Sequence, residues 1–219
     1  DRISKLNGYL DDYAYFMDAL LDLYEATTDS AYLDTARHLA QCLMDQFWDG
    51  DQGGFFFTSA DHEALAARPK SYTDQSVPSG NAVAASALLR LFYLTQDQTY
   101  FDRAEQTLQV CGNAMEENAF ATGNLIAAAD FYLRGPKEIL VCGKKETPEM
   151  ETLLHNIYRC YIPNKIVLVI DPCQPYPVSD WMKGKEAIEG MPTVYVCEKN
   201  ACSMPLTEWE EVRRRLEGK

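Results

Sequence analysis

Residues 19–41 read ALLDLYEATTDSAYLDTARHLAQ, and residues 87–109 read ALLRLFYLTQDQTYFDRAEQTLQ. The second stretch lies 68 residues after the first and aligns with it without a gap. Ten of the 23 positions are identical, at Ala19, Leu20, Leu21, Leu23, Thr27, Asp29, Tyr32, Asp34, Ala36 and Gln41 and at their counterparts 68 residues later. Asp29 and Asp97 lie where a carboxylate can cap the exposed N–H groups of a following helix. Each copy is therefore predicted to be a helix, a tight turn and a second helix.

The helices of each copy differ in the arrangement of their apolar residues. Those that begin near Ser30 and Gln98 have an apolar stripe and a polar face, which is typical of outer helices. By contrast, Ala82–Leu89 and Leu125–Ala129 are apolar nearly all round, which indicates burial on several sides. Inner helices are therefore predicted to begin near Asp11, Gly80 and Gly123. This alternation predicts a partial α/α toroid, since five helices cannot close a two-layer ring of twelve.

The pattern changes near Pro136, because Gly135-Pro136 is a helix stop signal. Residues 1–136 hold 20 acidic and 8 basic residues, whereas residues 137–219 hold 13 and 12. The predicted fold is mainly α. Residues 1–136 form the helical hairpins, and residues 137–219 form a small C-terminal α/β unit in the order β-α-β, a proline-rich connector and β-α.

The predicted elements of the second segment rest on local signals. Three β-rich runs predict strands, at Glu138–Cys142, Lys165–Ile170 and Thr193–Cys197. Thr147-Pro148 predicts a helix start between the first two strands, which should be parallel. Thr207-Glu208-Trp209-Glu210 reads as a capping box for the last helix. The connector holds four prolines, Pro172, Pro175, Pro177 and Pro192.

Composition excludes several classes of function. A net charge of −13 argues against nucleic acid or an anionic membrane as partner. No apolar run approaches the roughly 20 residues of a membrane span. Seven Cys in 219 residues suit a reducing compartment, so the protein is predicted to be cytoplasmic, although the sequence begins at Asp1 and a targeting signal could precede it. The three His are scattered, and neither a metal nor a cofactor is predicted.

The inner helices share a start signal. Ser79-Gly80-Asn81 and Thr122-Gly123-Asn124 precede two of them, and Asn7-Gly8 precedes the first. Such residues cap helices. The alternative interpretation is that several helix N-termini converge on one rim, where their N–H groups could hold a polar ligand.

The long segment 48–78 separates the two copies. Gly53–Thr58 reads as a short strand, with Arg68–Asp74 as its possible partner. Trp48, Phe55 and Phe57 either form a platform on which a sugar could stack or fill the base of the loop.

Six strings occurring in order resemble one family. They are Gly8-Tyr-Leu-Asp-Asp-Tyr-Ala14, Gly53-Gly-Phe-Phe56, Arg68-Pro-Lys70, Val77-Pro-Ser-Gly-Asn-Ala-Val83, Gly135-Pro-Lys-Glu138 and Val194-Tyr-Val-Cys197 with Cys202. The chain resembles the C-terminal part of the YyaL and spermatogenesis-associated protein 20 family. The resemblance implies an N-terminal thioredoxin-like domain and further hairpins, which this chain lacks, and a toroid similar to six-hairpin glycosidases. The chain is thus expected to be a fragment or a truncated homologue.

These considerations nominate site residues. Asp12 and Asp74 are the predicted acid/base pair, since glycoside hydrolysis uses two carboxyls whose pKa values differ. Partial burial near Tyr72 and Pro78 would raise the pKa of Asp74 and make it the proton donor. The alternatives are that Asp12 only complements the helix dipole and that Asp74 only caps the turn into Ser79. The predicted ligand-binding residues are Asp11, Tyr13, Trp48, Tyr72, Ser79, Asn81 and Asn124.

Cys197 and Cys202 have three possible roles: a redox pair, half of a metal site, or two free thiols, which is the simplest interpretation. Two functions are considered for the chain. One is a toroid that binds or processes a sugar or another small polar ligand. The other is a non-catalytic module that serves a thioredoxin-like domain, the remaining hairpins or a second copy of itself.

Overall fold

The computed structural model describes residues 7–63, 67–173, 182–199 and 201–218. The chain divides into two compact units, the first ending at Arg134 and the second beginning at Gly135. The sequence had placed this boundary two residues later, after Pro136. None of the helices in the described ranges is both long enough and apolar enough to cross a membrane.

The first unit is helical. Its helices are α1 (Leu10–Thr27), α2 (Ser30–Gln46), α3 (Gly80–Thr95), α4 (Gln98–Val110), α5 (Gly112–Glu117) and α6 (Gly123–Arg134). A single 3₁₀ turn at Ala119–Thr122 precedes α6. The predicted starts of the five long helices are confirmed. The short helix α5 was not predicted. Its Met115 continues the spacing of the apolar stripe of α4, so the sequence suggests one longer helix, whereas α4 ends at Val110 and α5 begins at Gly112.

The long helices form two layers. Helix α1 packs against α2 and α3, and α3 packs in turn against α4 and α6. Helices α1, α3 and α6 are therefore the inner layer, and α2 and α4 are the outer layer. The small side chains Ala82, Ala84, Ala85 and Ala87 are all buried in α3, which lets neighbouring helices approach closely. The predicted partial α/α toroid of helical hairpins is confirmed.

The sequence repeat is also a structural repeat. The Asp29 carboxylate accepts a hydrogen bond from the Ala31 N–H at 3.0 Å. Asp97 accepts one from the Thr99 N–H, also at 3.0 Å. Each aspartate thus caps the second helix of its hairpin, as the sequence predicts.

The turns before these caps match as well. Thr28 has a left-handed φ of 60° and Gln96 one of 61°. In the preceding helices the equivalent Leu20 and Leu88 are both buried. The two hairpins therefore turn in the same way and present the same residues to the core.

Helix α6 is less buried than the sequence predicts. Leu125, Ala128 and Phe131 are buried, but Ile126 is 39% exposed and Leu133 is 77% exposed. An inner helix at the end of an arc has a neighbour on only one side, so its second apolar face stays uncovered.

The second unit is an α/β unit. Its strands are β1 (Lys137–Cys142), β2 (Lys165–Ile170), β3 (Thr193–Glu198) and β4 (Ala201–Cys202), and its helices are α7 (Pro148–Arg159) and α8 (Trp209–Glu217). The sheet order is β2-β1-β3-β4. Strands β1 and β2 are parallel, as predicted, and β3 is antiparallel to both β1 and β4. One face of the sheet packs its Val and Ile side chains against α7 and α8.

The two helix starts in this unit turned out differently. The Thr147 hydroxyl accepts from the Met150 N–H at 3.3 Å, so this cap is confirmed. The capping box predicted at Thr207 is wrong, because α8 begins at Trp209 and its N-cap residue Glu208 makes no side-chain cap bond. Two of the connector prolines, Pro175 and Pro177, lie outside the described residues.

An ion cluster joins the inner helices α1 and α3. Arg90 on α3 donates to Asp18 at 2.7 Å, to Asp22 at 2.8 Å and to Glu25 at 3.0 Å, all on α1. The Arg90 side chain is only 14% exposed and that of Glu25 only 10%. These charges hold the two hairpins together in a partly desolvated setting, where removal of one partner leaves buried charges uncompensated.

The cluster gives the first prediction. Arg90→Ala should lower the free energy of unfolding by about 3 kcal/mol, because Glu25 and Asp18 would lose their counter-ion. Urea denaturation at pH 7 measures this. Arg134→Ala is the matched control, since Arg134 pairs with Asp130 at 2.6 Å on an exposed surface, and such pairs contribute about 0–1 kcal/mol. Equal losses for the two variants would show that the cluster does not hold the hairpins together.

Candidate functional site

The N-termini of three inner helices meet at one rim, and Asp74 joins two of them. Its Oδ1 accepts from the Ser79 N–H at 2.9 Å, at the start of α3. Its Oδ2 accepts from the backbone N–H of Asn124 at 2.9 Å and from the side-chain amide of Asn124 at 3.1 Å, at the start of α6. The Ser79 hydroxyl itself caps α3 by accepting from the Ala82 N–H at 3.1 Å. Asp74 is thus a cap shared by two helices.

The expected pKa of Asp74 is corrected by this geometry. Burial opposes ionisation, but the hydrogen bonds from Asn124 and Ser79 outweigh it and lower the pKa of the carboxyl. The sequence-based expectation was a raised pKa and the role of proton donor. A carboxylate that accepts three hydrogen bonds is instead held in its ionised form.

Asp12 is engaged in a cap of its own helix. Its Oδ2 accepts from the Tyr9 N–H at 2.8 Å. The predicted start signal at Asn7 does not act on α1, since the Asn7 amide donates to the carboxylate of Asp61 at 3.1 Å. Both members of the predicted pair are therefore occupied with helix starts.

Asp11 is a third carboxyl at the rim, and its surroundings differ from those of Asp12 and Asp74. A Cβ at position 80 would lie 2.2 Å from Asp11 Oδ1, so only glycine lets α3 begin this close to α1. Burial, and then the charge of Asp12, raise the pKa of Asp11. Among the described residues no side-chain hydrogen bond occupies the Asp11 carboxyl. It is the half-buried acid that the sequence-based pairing overlooked.

Tyr15 is influenced by the charges of both Asp11 and Asp74. Its hydroxyl donates to the Pro78 carbonyl. Burial, followed by the charges of Asp11 and Asp74, raises the pKa of Tyr15. Asp11, Tyr15 and Asp74 therefore share one electrostatic environment, which we call the rim site.

Asn81 is a loop anchor. It is fully buried. Its carbonyl oxygen accepts from the Phe55 N–H at 2.7 Å, and its amide donates to the Phe55 and Ser71 carbonyls at 2.9 and 3.1 Å. Contrary to its predicted place on the wall of a ligand cavity, its polar atoms are committed to the segment between the hairpins.

The same segment forms less strand than predicted. Phe55 makes an isolated antiparallel bridge to Trp48, and Phe57 donates to the Pro69 carbonyl at 2.8 Å. An ion pair between Lys70 and Asp49 fastens the segment further. The predicted pairing of Gly53–Thr58 with Arg68–Asp74 is thus reduced to single contacts.

The aromatic candidates have separate positions. The Trp48 ring contacts Phe55 edge-on at 5.1 Å and carries the Arg103 guanidinium 4.5 Å above it, so it fills the base of the loop. Tyr13 packs on Phe47 at 5.1 Å, and burial raises the pKa of the half-buried Tyr72.

Tyr9 was not predicted as a site residue. It stacks on Phe57 at 4.8 Å, stays 40% exposed and lies at the start of α1 beside the rim site. Its place in the Gly8-Tyr-Leu-Asp-Asp string was the signal that could have found it.

In the second unit Cys197 and Cys202 form a disulfide, so the expectation of two free thiols is wrong. The reason is their direct pairing across β3 and β4, with Cα atoms 3.9 Å apart. Within the described ranges no group of three His, Cys, Asp or Glu side chains could hold a metal ion.

The second unit also contains an open cavity of about 670 Å³ beside the N-terminus of α7. Leu153, Met191 and Trp209 supply apolar walls, and Lys144 and Glu149 contribute one charge of each sign. None of the residues nominated from the sequence lines it.

The protein therefore belongs to the class of mainly α proteins built from an arc of α/α hairpins, here with carboxylates at the rim and with an α/β unit following in the chain. No family model matches the sequence. The chain is similar in sequence to spermatogenesis-associated protein 20, as its motifs indicated. It is 33% identical to the human protein over 213 residues, which are 95% of this chain and 27% of that protein, and the rat protein gives the same figures. The chain therefore spans about a quarter of the length of these relatives.

Two more distant similarities were found. An uncharacterized protein of Caenorhabditis elegans, B0495.5, is 23% identical over 208 residues, covering 95% of this chain and 28% of that protein. A structure of a GH76 alpha-mannanase from Bacteroides thetaiotaomicron superposes with a TM-score of 0.45 and 18% identity, over 60% of this chain and 38% of that one.

The shared cap gives the second prediction. Asp74→Asn should destabilise the chain by about 1 kcal/mol at pH 7, because Asp74 accepts through both oxygens and Asn offers only one acceptor. Asp29→Asn is the matched control, since the Asp29 cap uses Oδ1 alone and Asn caps equally well.

Urea denaturation at several pH values adds an independent check. The folded state lowers the pKa of Asp74, so its stabilisation is present above the unfolded value and is lost as the pH falls through the folded value. The difference between wild type and Asp74→Asn should therefore shrink below about pH 4. A difference that is constant with pH would contradict the ionised cap.

Proposed function

We propose that the rim site binds a sugar and that Asp11 acts there as proton donor, with Asp74 as the ionised carboxylate. The observation that carries this proposal is the contrast between the two carboxyls. Asp11 is half-buried, without a side-chain hydrogen bond among the described residues, and its pKa is raised. Asp74 accepts three hydrogen bonds and its pKa is lowered.

Such a contrast suits acid/base chemistry on a glycosidic bond. One carboxyl must keep a proton to give to the leaving oxygen, and the other must stay charged to activate water or stabilise positive charge on the ring. The Tyr15 hydroxyl, which both carboxyls influence, supplies a further polar group at the rim. The catalytic pair predicted from the sequence is thereby revised from Asp12 with Asp74 to Asp11 with Asp74.

An aromatic ring beside the carboxyls supports a sugar as the ligand. Tyr9 is exposed and braced by its stack on Phe57. A fixed ring with one apolar face and a polar tip suits a partner that is apolar on one side and hydroxylated on its edge. Tyr9 takes the part that the sequence had assigned to Trp48.

The third prediction tests Asp11. A panel of neutral mono- and disaccharides is screened by thermal shift with the full chain, and disaccharides that raise the melting temperature are tested for hydrolysis. Asp11→Asn should still bind but hydrolyse at least about 100-fold more slowly, since Asn cannot give up a proton as an acid. Wild-type hydrolysis should decline as the pH rises through the raised pKa of Asp11.

Asp12→Asn is the matched control, because an Asn carbonyl can still accept from the Tyr9 N–H and cap α1. It should keep hydrolysis close to the wild-type rate at low pH and move the decline to a lower pH, because the charge of Asp12 is the smaller of the two causes that raise the pKa of Asp11. If Asp11→Asn hydrolyses at the wild-type rate, Asp11 is not the donor. If no sugar in the panel binds, the rim site is not a carbohydrate site.

A second function, packing against other helices, is favoured by exposed apolar residues on α1 and α6, the first and last inner helices, which we call the two edges of the arc. Phe16 and Leu23 on α1 are 55% and 43% exposed, and Ile126 and Leu133 on α6 are 39% and 77% exposed. Apolar stripes of this kind mark protein interfaces. We propose that these edges pack against further helical hairpins of a longer chain, which agrees with relatives about four times as long as the aligned region.

The fourth prediction follows from these edges. The 219-residue chain alone should self-associate as its concentration rises, measured by light scattering coupled to size exclusion. The double variant Phe16→Glu with Leu133→Glu should be monomeric, because charges replace the apolar contacts. Met204→Glu is the control, since Met204 is 80% exposed but lies in the second unit. A wild-type chain that stays monomeric at all concentrations would refute the docking edges.

A further inference from the structure

The disulfide in the second unit joins an exposed cysteine to a buried one. Cys202 is exposed on β4, the edge strand of the sheet. Cys197 on β3 is only 2% exposed. A thiolate from solution can therefore reach the Cys202 sulfur, and the Cys197 sulfur is the natural leaving group of that attack.

A carboxyl lies opposite the buried cysteine. Glu138 on β1 is the direct antiparallel partner of Cys197 on β3. Directly opposed residues point to the same face of a sheet with Cβ atoms about 5 Å apart. Two further residues neighbour Glu138 on this face. Ile166 pairs with it from β2, the strand on the opposite side of β1 from β3, and Cys142 lies farther along β1. The positive charge of Lys185 acts on the Glu138 carboxyl and favours its ionised form.

Burial raises the pKa of Glu138 to about 7, against the opposing effect of Lys185. Below this pH the carboxyl keeps its proton and can give it to a neighbouring base. An ordinary exposed glutamate would have lost that proton well below neutral pH.

We propose that Cys197–Cys202 is a redox-active disulfide that exchanges with dithiols, and that Glu138 is the proton donor to the Cys197 sulfur. The reaction partner is a dithiol reductant. The three-stranded core β2-β1-β3 is held by its own strand pairing, so we expect the exchange to be reversible without unfolding.

The exchange proceeds in two balanced steps. First, one thiol of the reductant loses its proton to solvent and attacks Cys202 Sγ. The bond between the two cysteine sulfurs breaks, a mixed disulfide forms at Cys202, and the Cys197 thiolate takes the proton of Glu138. Second, the other thiol of the reductant, also deprotonated, attacks the mixed disulfide. Cys202 leaves as a thiolate, the reductant departs as its own disulfide, and Glu138 and Cys202 take protons from solvent.

The edge position makes the opening local. Strand β4 has two residues and, within the described part of the chain, pairs with β3 alone, through Cys197 with Cys202 and Glu198 with Ala201. Beyond it, the Ser203 N–H still donates to the Val196 carbonyl at 2.9 Å, and the Ser203 hydroxyl accepts from the Val196 N–H at 3.1 Å. These bonds keep the chain beside β3 after the sulfurs separate.

The fifth prediction uses dithiothreitol as the dithiol and the full chain as purified without reductant. Differential alkylation followed by peptide mass spectrometry gives the fraction of Cys197–Cys202 that is reduced with time, and circular dichroism follows the fold. The disulfide should be present at the start and be reduced with the fold intact. At pH 6, Glu138→Gln should be reduced at least about tenfold more slowly than wild type, because Gln cannot protonate the leaving sulfur.

The pH dependence separates proton donation from a structural effect. The ratio of wild-type to Glu138→Gln rates should be largest below pH 7 and fall toward one above it, as Glu138 loses its proton. Glu198→Gln is the matched control, since Glu198 adjoins Cys197 in sequence but pairs with Lys137 at 3.2 Å, and it should react like wild type.

Three outcomes would overturn the proposal. The first is alkylation of both cysteines before any reductant is added, and the second is reduction only in denaturant. The third is a Glu138→Gln rate equal to that of wild type at every pH.

Discussion

The pairing of Arg90 with the carboxylates of α1 sets the geometry on which the first unit depends. Asp22 and Arg90 occupy equivalent positions in the 68-residue repeat, yet they carry opposite charges and lie 2.8 Å apart. Two copies with the same charge at this position would repel each other across the inner layer. The change from aspartate to arginine at this position lets the first helices of the two hairpins pack against each other. With α1 held against α3 in this way, Asp11 comes to lie against Gly80 at the rim.

Most of the helical architecture could be predicted because its signals are local and occur twice. The turn residues and caps at Asp29 and Asp97 need only neighbours two residues away. The role of Asp74 could not be predicted in the same way. It caps α6 through Asn124, 50 residues later in the chain, and no short-range pattern records that distance. The loop anchor Asn81 was assigned to a ligand for the same reason, since its partner Phe55 is 26 residues earlier.

The choice between Asp11 and Asp12 shows where prediction of the site stops. Adjacent helical residues point about 100° apart, so one turns toward α3 and the other back to its own N-terminus. Sequence alone indicates that acids favour this first turn. Only the packing partner decides which of them is capped and which is buried. Likewise, strand β4 is too short to leave a pattern, and without it the pairing of Cys197 with Cys202 has no signal in the sequence.

One distinction runs through the carboxyls of both units. Those that accept backbone or lysine hydrogen bonds keep their charge despite burial. The lysine bond of Asp49 lowers its pKa, and in Asp74 and Asp171 the backbone bonds outweigh the opposing effect of burial. Asp11 and Glu138, which are buried without such donors, have raised pKa values. The pKa of Asp18 is raised as well, because burial outweighs its pairing with Arg90. The first group is fixed by the fold and cannot exchange protons near neutral pH. We therefore assign proton transfer to Asp11 at the rim of the helical arc and to Glu138 beside the disulfide, because each has a raised pKa and neither accepts a backbone or lysine hydrogen bond among the described residues.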